Sequence, residues 1–158
     1  KMAKRIGLGR TQALIEGLKR ELQLNQSTLK GTLQQVVTLS GAGATATLTS
    51  DDSGAIVEMG GSNASTVNLP AVEKGLYFRF VATTAHAHVI QGGDTSIEGG
   101  YHHNTNAATV ARVAVTNKSK LTLHNSNAAK GDTLEMWCNG TDWFVSGIVN
   151  DVITQAPA

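Results

Sequence analysis

The chain has 158 residues, of which 41% are hydrophobic and only 16% are charged, with a formal net charge of +1. This length accommodates one β domain with a short appendage, and a single cysteine, Cys138, excludes an intrachain disulfide. No apolar run approaches the roughly 20 residues of a bilayer-spanning helix or resembles the core of a secretory signal, so we expect a soluble protein that the general export pathway does not secrete.

The N-terminal residues carry most of the positive charge. Residues 1–30 contain seven basic and two acidic side chains, a net charge of +5, whereas the rest of the chain sums to −4. Residues 1–10 include four basic side chains and no acid, and Gly7 and Gly9 disfavour regular structure, so we predict an extended basic arm. Such an end-weighted charge indicates an anionic partner, either an acidic protein surface or nucleic acid. Nucleic acid is the weaker alternative, because no aromatic residue lies among the basic ones to stack on bases.

An amphipathic helix is predicted from Thr11, a favourable N-cap residue, to about Leu24. Its apolar side chains recur at intervals of four residues and form one stripe, made of Leu14, Leu18 and Leu22 with Ile15 beside them. A helix of this length is barely stable alone in water, so the stripe must pack on another surface. That surface could be the β domain of the same chain. We favour a neighbouring subunit or a larger assembly, because no acidic block nearby in sequence matches the positive charge.

Short strands separated by turns are predicted for the rest of the chain. The clearest pattern is Leu76–Val81, in which Leu76, Phe78 and Phe80 share one face and should point into the core. The predicted strands up to residue 90 are Gln34–Leu39, Ala44–Thr49, Ala55–Met59, Thr66–Leu69, Leu76–Val81 and Ala85–Ile90. The acidic segment 51–54 could attract calcium, but it lacks the alternating oxygen ligands of a calcium loop, so we interpret it as a turn.

The segment from Gly92 to Asn106 is rich in glycine and polar residues and is interpreted as a long loop between strands. Its tip would carry Tyr101, His102 and His103. Long loops on a rigid β scaffold often make contacts. Two roles therefore remain open for these three residues: a contact with a neighbour or the exterior, and a plain crossover.

The C-terminal part is predicted to contain four further strands, Thr109–Thr116, Lys120–His124, Thr133–Cys138 and Trp143–Val145. In Thr133–Cys138, Leu134, Met136 and Cys138 share a face, and Asn139-Gly140 is the dipeptide preferred by a two-residue hairpin turn. The tail from Asn150 is expected to fray or to lie along a neighbour.

Together these elements predict a mainly β protein. About eight to ten strands without crossover helices favour a jelly-roll-like antiparallel β-sandwich over residues 31–158, preceded by the basic arm and helix of residues 1–30. The sequence shows no internal repeat.

Several of these segments resemble small β-sandwich proteins of tailed-phage virions. The resemblance rests on an Asp-Asp-Ser-Gly turn at 51–54, a Thr-Val-Asn-Leu-Pro corner at 66–70, a Gly-Leu-Tyr-Phe-Arg-Phe-Val strand at 75–81 and the 131–134 and 139–145 segments. It covers roughly residues 39–149. In that group such modules serve as capsid decoration (cement) proteins or as parts of fibres, commonly as homotrimers. The resemblance therefore implies a bacteriophage structural protein.

A pair of histidines, His86 and His88, lies on one face of the predicted strand Ala85–Ile90. Such a pair can chelate a transition metal, and three copies around a three-fold axis would supply six nitrogens, as in some trimeric phage fibres. A hydrogen-bonded or solvated side chain is the commoner role of a strand histidine. We favour that role and expect no metal and no cofactor.

Catalytic motifs are not recognisable in the sequence. It contains no phosphate-binding glycine loop, no zincin helix and no Gly-x-Ser-x-Gly elbow. The carboxylate pairs Asp51 with Asp52 and Asp94 with Glu98 could suggest glycoside cleavage, but a chain with only seven aromatic residues has few to line a sugar groove. We therefore expect a protein that is not an enzyme.

These observations lead to one favoured function and one alternative. The favoured function is a trimeric capsid decoration protein, made in the host cytoplasm, that binds the outer face of the major capsid protein lattice and stabilises it. Its anchoring residues would be Lys4, Arg5, Arg10, Leu14, Ile15, Leu18 and Leu22. The alternative is a fibre or tail appendage module that binds a host-surface glycan through the loop of residues 94–106. Neither function involves a membrane.

Overall fold

The computed structural model describes residues 11–16, 34–104, 110–123 and 129–158. The chain divides into two units, Lys1–Gln34 and Gln35–Ala158. In the first unit, residues 11–16 are helical, which agrees with a helix that begins at Thr11. No described helix has the length and apolar character that crossing a bilayer requires.

The second unit is built from β-strands, so the predicted mainly β class is confirmed. Its described strands are β1 (Val36–Leu39), β2 (Thr45–Thr47), β3 (Ile56–Met59), β4 (Thr66–Asn68), β5 (Tyr77–Ala82), β6 (Val89–Gln91), β7 (Ile97–Asn104), β8 (Val110–Thr122), β9 (Thr133–Cys138), β10 (Trp143–Val149) and β11 (Thr154–Pro157). Ten of them form one nearly closed sheet in the order β1-β3-β5-β9-β10-β7-β8-β6-β4-β2, and β11 pairs with β8.

The first six strands form two parallel stacks that the chain visits alternately. In one stack, Val36 of β1 pairs with Ile56 of β3, which pairs with Arg79 of β5. In the other, β2, β4 and β6 stack in the same way. Each return to a stack takes 20 to 23 residues. Residues 36–91 therefore wind through three coils of a short parallel β-solenoid, in which each coil packs mainly on its neighbours.

Ladders of equivalent side chains explain why the coils stack. Val37, Val57 and Phe80 lie in register on the inner side of one stack, and Val57 and Phe80 are almost fully buried. On the outer side, the Thr38 hydroxyl donates to a carboxylate oxygen of Glu58 at 3.0 Å, and so links successive coils. The coils thus alternate apolar inward and polar outward positions, as strands packed on one face do.

The second half of the chain closes the solenoid on one side only. β9 pairs antiparallel with β5, β8 pairs antiparallel with β6, and β10 and β7 join β9 to β8. The two ends of the strand order, β1 and β2, both belong to the first coil. Within the described residues, the outer edge of that coil therefore has no strand partner.

The aromatic core lies where the solenoid meets the closing strands. The Phe78 ring lies 5.9 Å from the Trp143 ring and 6.4 Å from the Phe80 ring, and all three side chains are at most 2% exposed. Burying a side chain of this kind contributes about 2–3 kcal/mol to stability. The inward faces predicted for β5 and β9 are confirmed, since Leu76, Phe78, Phe80, Leu134, Met136 and Cys138 are all buried.

Strand pairing differs from the antiparallel pattern that the sequence predicted. Five of the ten strand pairs in the described residues are parallel. A short alternating strand looks the same in either orientation, because the period of two is independent of the direction of the neighbouring strand. The repeat also escaped sequence analysis, since equivalent positions such as Val57 and Phe80 differ and the coils have unequal lengths.

Three segments fold differently from their predictions. The predicted loop of residues 92–106 contains the eight-residue strand β7, and the strands predicted at 109–116 and 120–124 are one strand, β8, of 13 residues. The tail does not fray within the described structure, because β11 pairs with β8. The hairpin of β9 and β10 is confirmed, but its loop has four residues, since Cys138 pairs with Trp143.

Candidate functional site

Three aromatic side chains lie in one line on the outer face of the sheet. Tyr77 of β5 pairs with Trp137 of β9, and Trp137 pairs with Phe144 of β10. All three occupy positions that alternate with buried residues, so they project from the same face. Adjacent strands are about 4.8 Å apart, so the row spans about 10 Å. We call Tyr77, Trp137 and Phe144 the aromatic row.

The centre of the aromatic row is a pair of stacked rings, whose π-faces lie against each other. The rings of Trp137 and Phe144 stack with their centroids 4.5 Å apart and their planes inclined by only 15°. Trp137 is 48% exposed. The other four aromatic residues of the chain, Phe78, Phe80, Tyr101 and Trp143, are at most 2% exposed. Large apolar side chains that adjoin each other on a surface commonly mark an interaction site.

Charged side chains flank the aromatic row two residues further along β5 and β9. Arg79 Nε lies 3.9 Å from Glu135 Oε1, and both side chains are nearly half exposed. An exposed pair of this kind contributes little to stability. Partial burial, followed by the negative charge of Glu135, raises the pKa of the Tyr77 hydroxyl. Tyr77 is therefore a neutral hydrogen-bonding group at physiological pH.

A second carboxylate lies at the other end of the row. Glu98 of β7 pairs with Phe144, and one of its carboxylate oxygens accepts hydrogen bonds from the Ser96 hydroxyl at 2.7 Å and from the Asn117 N–H at 2.9 Å. Asn117 has a positive φ of 51°, so Glu98 satisfies the backbone at an irregular point of β8. The carboxylate is thus held in a fixed position beside the aromatic row.

A groove of about 660 Å³ continues from the aromatic row on the same face. Arg79 and Glu135 line its near end, and Ile148, which is 69% exposed, lies along it. Its described lining contains two basic side chains, Arg79 and Lys130, and two acidic ones, Asp132 and Glu135. The groove therefore carries no net charge. Its volume lies within the range of small-ligand sites.

Asp132 holds one rim of this groove in place. Its two carboxylate oxygens accept hydrogen bonds from the N–H of Ala129 at 3.0 Å and the N–H of Asn150 at 2.9 Å. The side chain is only 7% exposed, and this burial raises its pKa although the two hydrogen bonds oppose the change. Asp132 thus ties the segment before β9 to the end of β10, and its role is structural.

The histidine pair includes one buried, hydrogen-bonded residue. His88 is buried and lies before β6 instead of within a strand. Its Nδ1 accepts from the Ser65 N–H at 3.1 Å, and its Nε2 donates to the Thr84 carbonyl at 3.0 Å. Both ring nitrogens of His88 therefore take part in hydrogen bonds, which agrees with the hydrogen-bonded role favoured for this residue. Among the described residues, no three His, Cys, Asp or Glu side chains form a group that could hold a metal.

The predicted contact loop is also a strand, and two of its three residues are buried. Tyr101 is fully buried, and its hydroxyl accepts from the Ile153 N–H at 2.8 Å. His103 is 6% exposed, and only His102 points outward. The glycines that suggested a loop serve close packing instead, since a Cβ at Gly99 would meet the Val145 carbonyl oxygen. Tyr101 and His103 are therefore core residues.

The predicted anchoring residues lie mostly outside the described part of the chain. Of these seven, Leu14 and Ile15 are described, and they are 66% and 51% exposed. Lys4, Arg5, Arg10, Leu18 and Leu22 lie outside the described residues. The turn at 51–54 is confirmed as a turn, because Asp52 accepts from the Thr49 N–H at 2.9 Å and its hydroxyl at 2.8 Å, bonds that lower the pKa of Asp52.

Comparison with known proteins adds no relative. A scan against protein-family models, a search of curated proteins and a search of solved structures each found no match.

Proposed function

We propose that the chain is a virion structural protein, a homotrimeric decoration protein that binds the outer face of the major capsid protein lattice and stabilises it. The proposal is supported most by the open first coil of the solenoid. β1 and β2 end the strand order on their outer edges, and the basic segment of residues 1–34 leads directly into β1. Within the described residues, one end of the β unit thus offers strand edges without a strand partner.

Open strand edges favour assembly for a physical reason. Alternate N–H and C=O groups of β1 and β2 point away from β3 and β4, and no described strand pairs with them on that side. Solenoids generally need a cap at such an end. In this proposal, the neighbouring subunits of a trimer and the capsid surface cap this end of the solenoid. The protein acts without catalysis or a cofactor.

The positive charge of the N-terminal segment is the second observation that supports capsid binding. Its net charge of +5 would attract an acidic surface. The described helix residues Leu14 and Ile15 present apolar side chains that would pack against the capsid. Because many copies bind one shell, a modest contact per copy suffices to stabilise the lattice by avidity.

Deletion of residues 1–24 tests the tether directly. The shortened protein should keep the far-ultraviolet circular dichroism of the β unit and should no longer co-sediment with capsids stripped of the protein. A matched variant lacking only residues 1–10 separates the arm from the helix. Full capsid binding by the protein lacking residues 1–24 would contradict the tether.

A second candidate is a fibre or tail appendage module that binds a host-surface glycan. The observation that favours it is the exposed aromatic row, since large apolar side chains that adjoin each other on a surface commonly mark an interaction site. Copy number separates the two candidates: hundreds of copies per particle indicate a decoration protein, and a handful indicate a fibre or tail part.

A further inference from the structure

We infer that the open edges of β1 and β2 join neighbouring copies of the chain, with β1 of one copy pairing with β2 of the next. This inference rests on the proposed function, because it assigns the contact within the proposed homotrimer to two named strands. It concerns the assembly of the protein with itself, so it is tested without the capsid.

The outer edge of β1 presents the backbone groups of two residues. The carbonyl oxygens of Gln35 and Leu39 accept hydrogen bonds from N–H groups of the next coil, at 2.9 Å each. Alternate residues of a parallel strand bond to opposite sides. Val36 and Thr38, which are both exposed, therefore direct their N–H and C=O groups away from β3.

The outer edge of β2 is built in the same way. Ala44 and Leu48 bond to β4 through their backbone groups, so Thr45 and Thr47 direct theirs to the opposite side. Both threonines are exposed. Each edge thus offers two N–H donors and two C=O acceptors. Strand β1 of one copy and strand β2 of another can satisfy each other's backbone groups, as in strand addition at a sheet edge.

The composition of this end favours another copy over a charged partner. Residues 34–50 include both strands and the turn between them, and they contain no acidic, basic or histidine side chain. Val36 adds an apolar side chain that is 50% exposed. An acidic protein surface or a nucleic acid finds no charge to pair with here, whereas two identical uncharged ends meet without repulsion.

The two edges also lack the features that keep natural sheet edges apart, such as lysine, proline and bulges. β11 is the other described strand with a single partner, and it contains Pro157, which has no N–H to donate. β1 and β2 contain neither proline nor lysine, and they pair with β3 and β4 without a register shift. The first coil is therefore the end that remains open to strand addition.

Three-fold symmetry decides which strands meet. Neighbours in a ring of three copies are not related by a two-fold axis, so each contact joins two different surfaces. β1 of one copy therefore meets β2 of the next, and the sheet of each copy continues into its neighbour. Pairing of β1 with β1 would require a two-fold axis and would produce a dimer.

Sedimentation velocity of the full chain tests the inference. The unchanged chain should sediment as a trimer at micromolar concentration. Val36→Lys should weaken the trimer by about tenfold or more, because it places a lysine at each contact between edges. Addition of Thr45→Glu or Thr47→Glu to Val36→Lys should restore assembly in at least one of the two double variants, since the glutamate then lies on the facing strand.

Control variants separate assembly from folding and from capsid binding. Val110→Lys is matched to Val36→Lys, because Val110 is 67% exposed and lies on β8, and it should sediment like the unchanged chain. Both lysine variants should keep the far-ultraviolet circular dichroism of the β unit. Deletion of residues 1–24 should leave the trimer intact although it removes capsid binding.

Three results would overturn the inference. The first is an unchanged chain that sediments as a monomer. The second is a dimer, which would indicate that β1 pairs with β1. The third is full assembly of Val36→Lys together with a lower unfolding temperature, which would show that the edge is covered within one chain. The co-sedimentation assay measures the capsid tether separately, so the tether can fail or hold in each case.

Discussion

Trp137 and Phe144 stack face to face across the β9–β10 hairpin, with their ring centroids 4.5 Å apart. The register of the hairpin places them opposite each other, and the alternation of the strands turns both rings away from the core. The same two strands bury Met136 and Trp143 on their other side. The hairpin therefore carries a stacked aromatic pair on its outer face and buried core side chains on its inner face.

The two tryptophans should differ strongly in their contribution to stability. Trp143→Ala removes a fully buried side chain that packs on Phe78 and should lower the free energy of unfolding by about 3–5 kcal/mol. Trp137→Ala removes an exposed cross-strand partner and should cost about 1 kcal/mol or less. Urea unfolding of the two variants measures both values. Similar losses for the two would contradict the division between surface and core.

Glycine at position 61 should be required for coil stacking. Gly61 has a φ of +99°, and a Cβ there would meet the carbonyl oxygen of Gly41 in the preceding coil. Gly61→Ala should therefore destabilise the protein through both backbone strain and a clash, by about 2 kcal/mol or more.

Gly75 provides a matched control for this prediction. Its φ of +95° is nearly the same, but nothing lies within 4 Å of a Cβ at this position. Gly75→Ala thus reports the backbone strain alone, about 1 kcal/mol. The difference between the two variants in thermal unfolding measures the contact between coils, and equal losses would argue against stacked turns.

Stability should fall on mild acidification because of His88. Burial lowers the pKa of His88, with a further decrease from the neighbouring His86, and a proton on Nδ1 would also face the Ser65 N–H. The unfolded chain therefore binds a proton more readily than the folded one. The stabilisation is complete above the ordinary pKa of 6.5 and is lost as the pH falls through that value towards the lower folded pKa.

Urea midpoints measured at about pH 7.5 and about pH 5 test this dependence. His88→Gln should flatten the difference between the two midpoints. His102→Gln, which changes an exposed side chain, should leave the difference as it is. An unchanged pH dependence in His88→Gln would show that another group controls acid sensitivity.

Asp132 should stabilise the rim of the groove. Asp132→Ala removes the carboxylate that accepts from the N–H groups of Ala129 and Asn150, and loss of buried acceptors of this kind costs about 1–3 kcal/mol. Amide hydrogen exchange at Ala129 should become faster. Asp94→Ala, a change at an exposed carboxylate, should have neither effect, and protected exchange at Ala129 in Asp132→Ala would contradict the assignment.

Local alternation was sufficient to predict which side chains enter the core. Phe78 and Phe80, and likewise Leu134 and Met136, are buried as predicted, because a period of two depends only on neighbours in sequence. The same alternation implied that Tyr77 and Trp137 face outward. Their alignment in one row depends on the register between strands that lie 60 residues apart, which one sequence does not specify.

Other features of the fold do not follow from local sequence patterns. Glycine, for example, occurs both in loops and where strands approach closely. Gly99 and Gly100 favour a loop in the sequence, yet they allow strands β10 and β8 to approach β7 closely. The role of His88 depends on Ser65, which is 23 residues away. The parallel stacks are not predicted because the alternation of a short strand does not reveal the direction of its neighbour.

Cryo-electron microscopy of the source particle tests the proposed function most directly. The account predicts many copies with three-fold symmetry on the outside of the capsid, with residues 1–24 lying against the major capsid protein. Copies confined to a fibre or tail would favour the second candidate. A particle that lacks the protein, or one in which residues 1–24 contact neither the shell nor a sister subunit, would contradict the proposal.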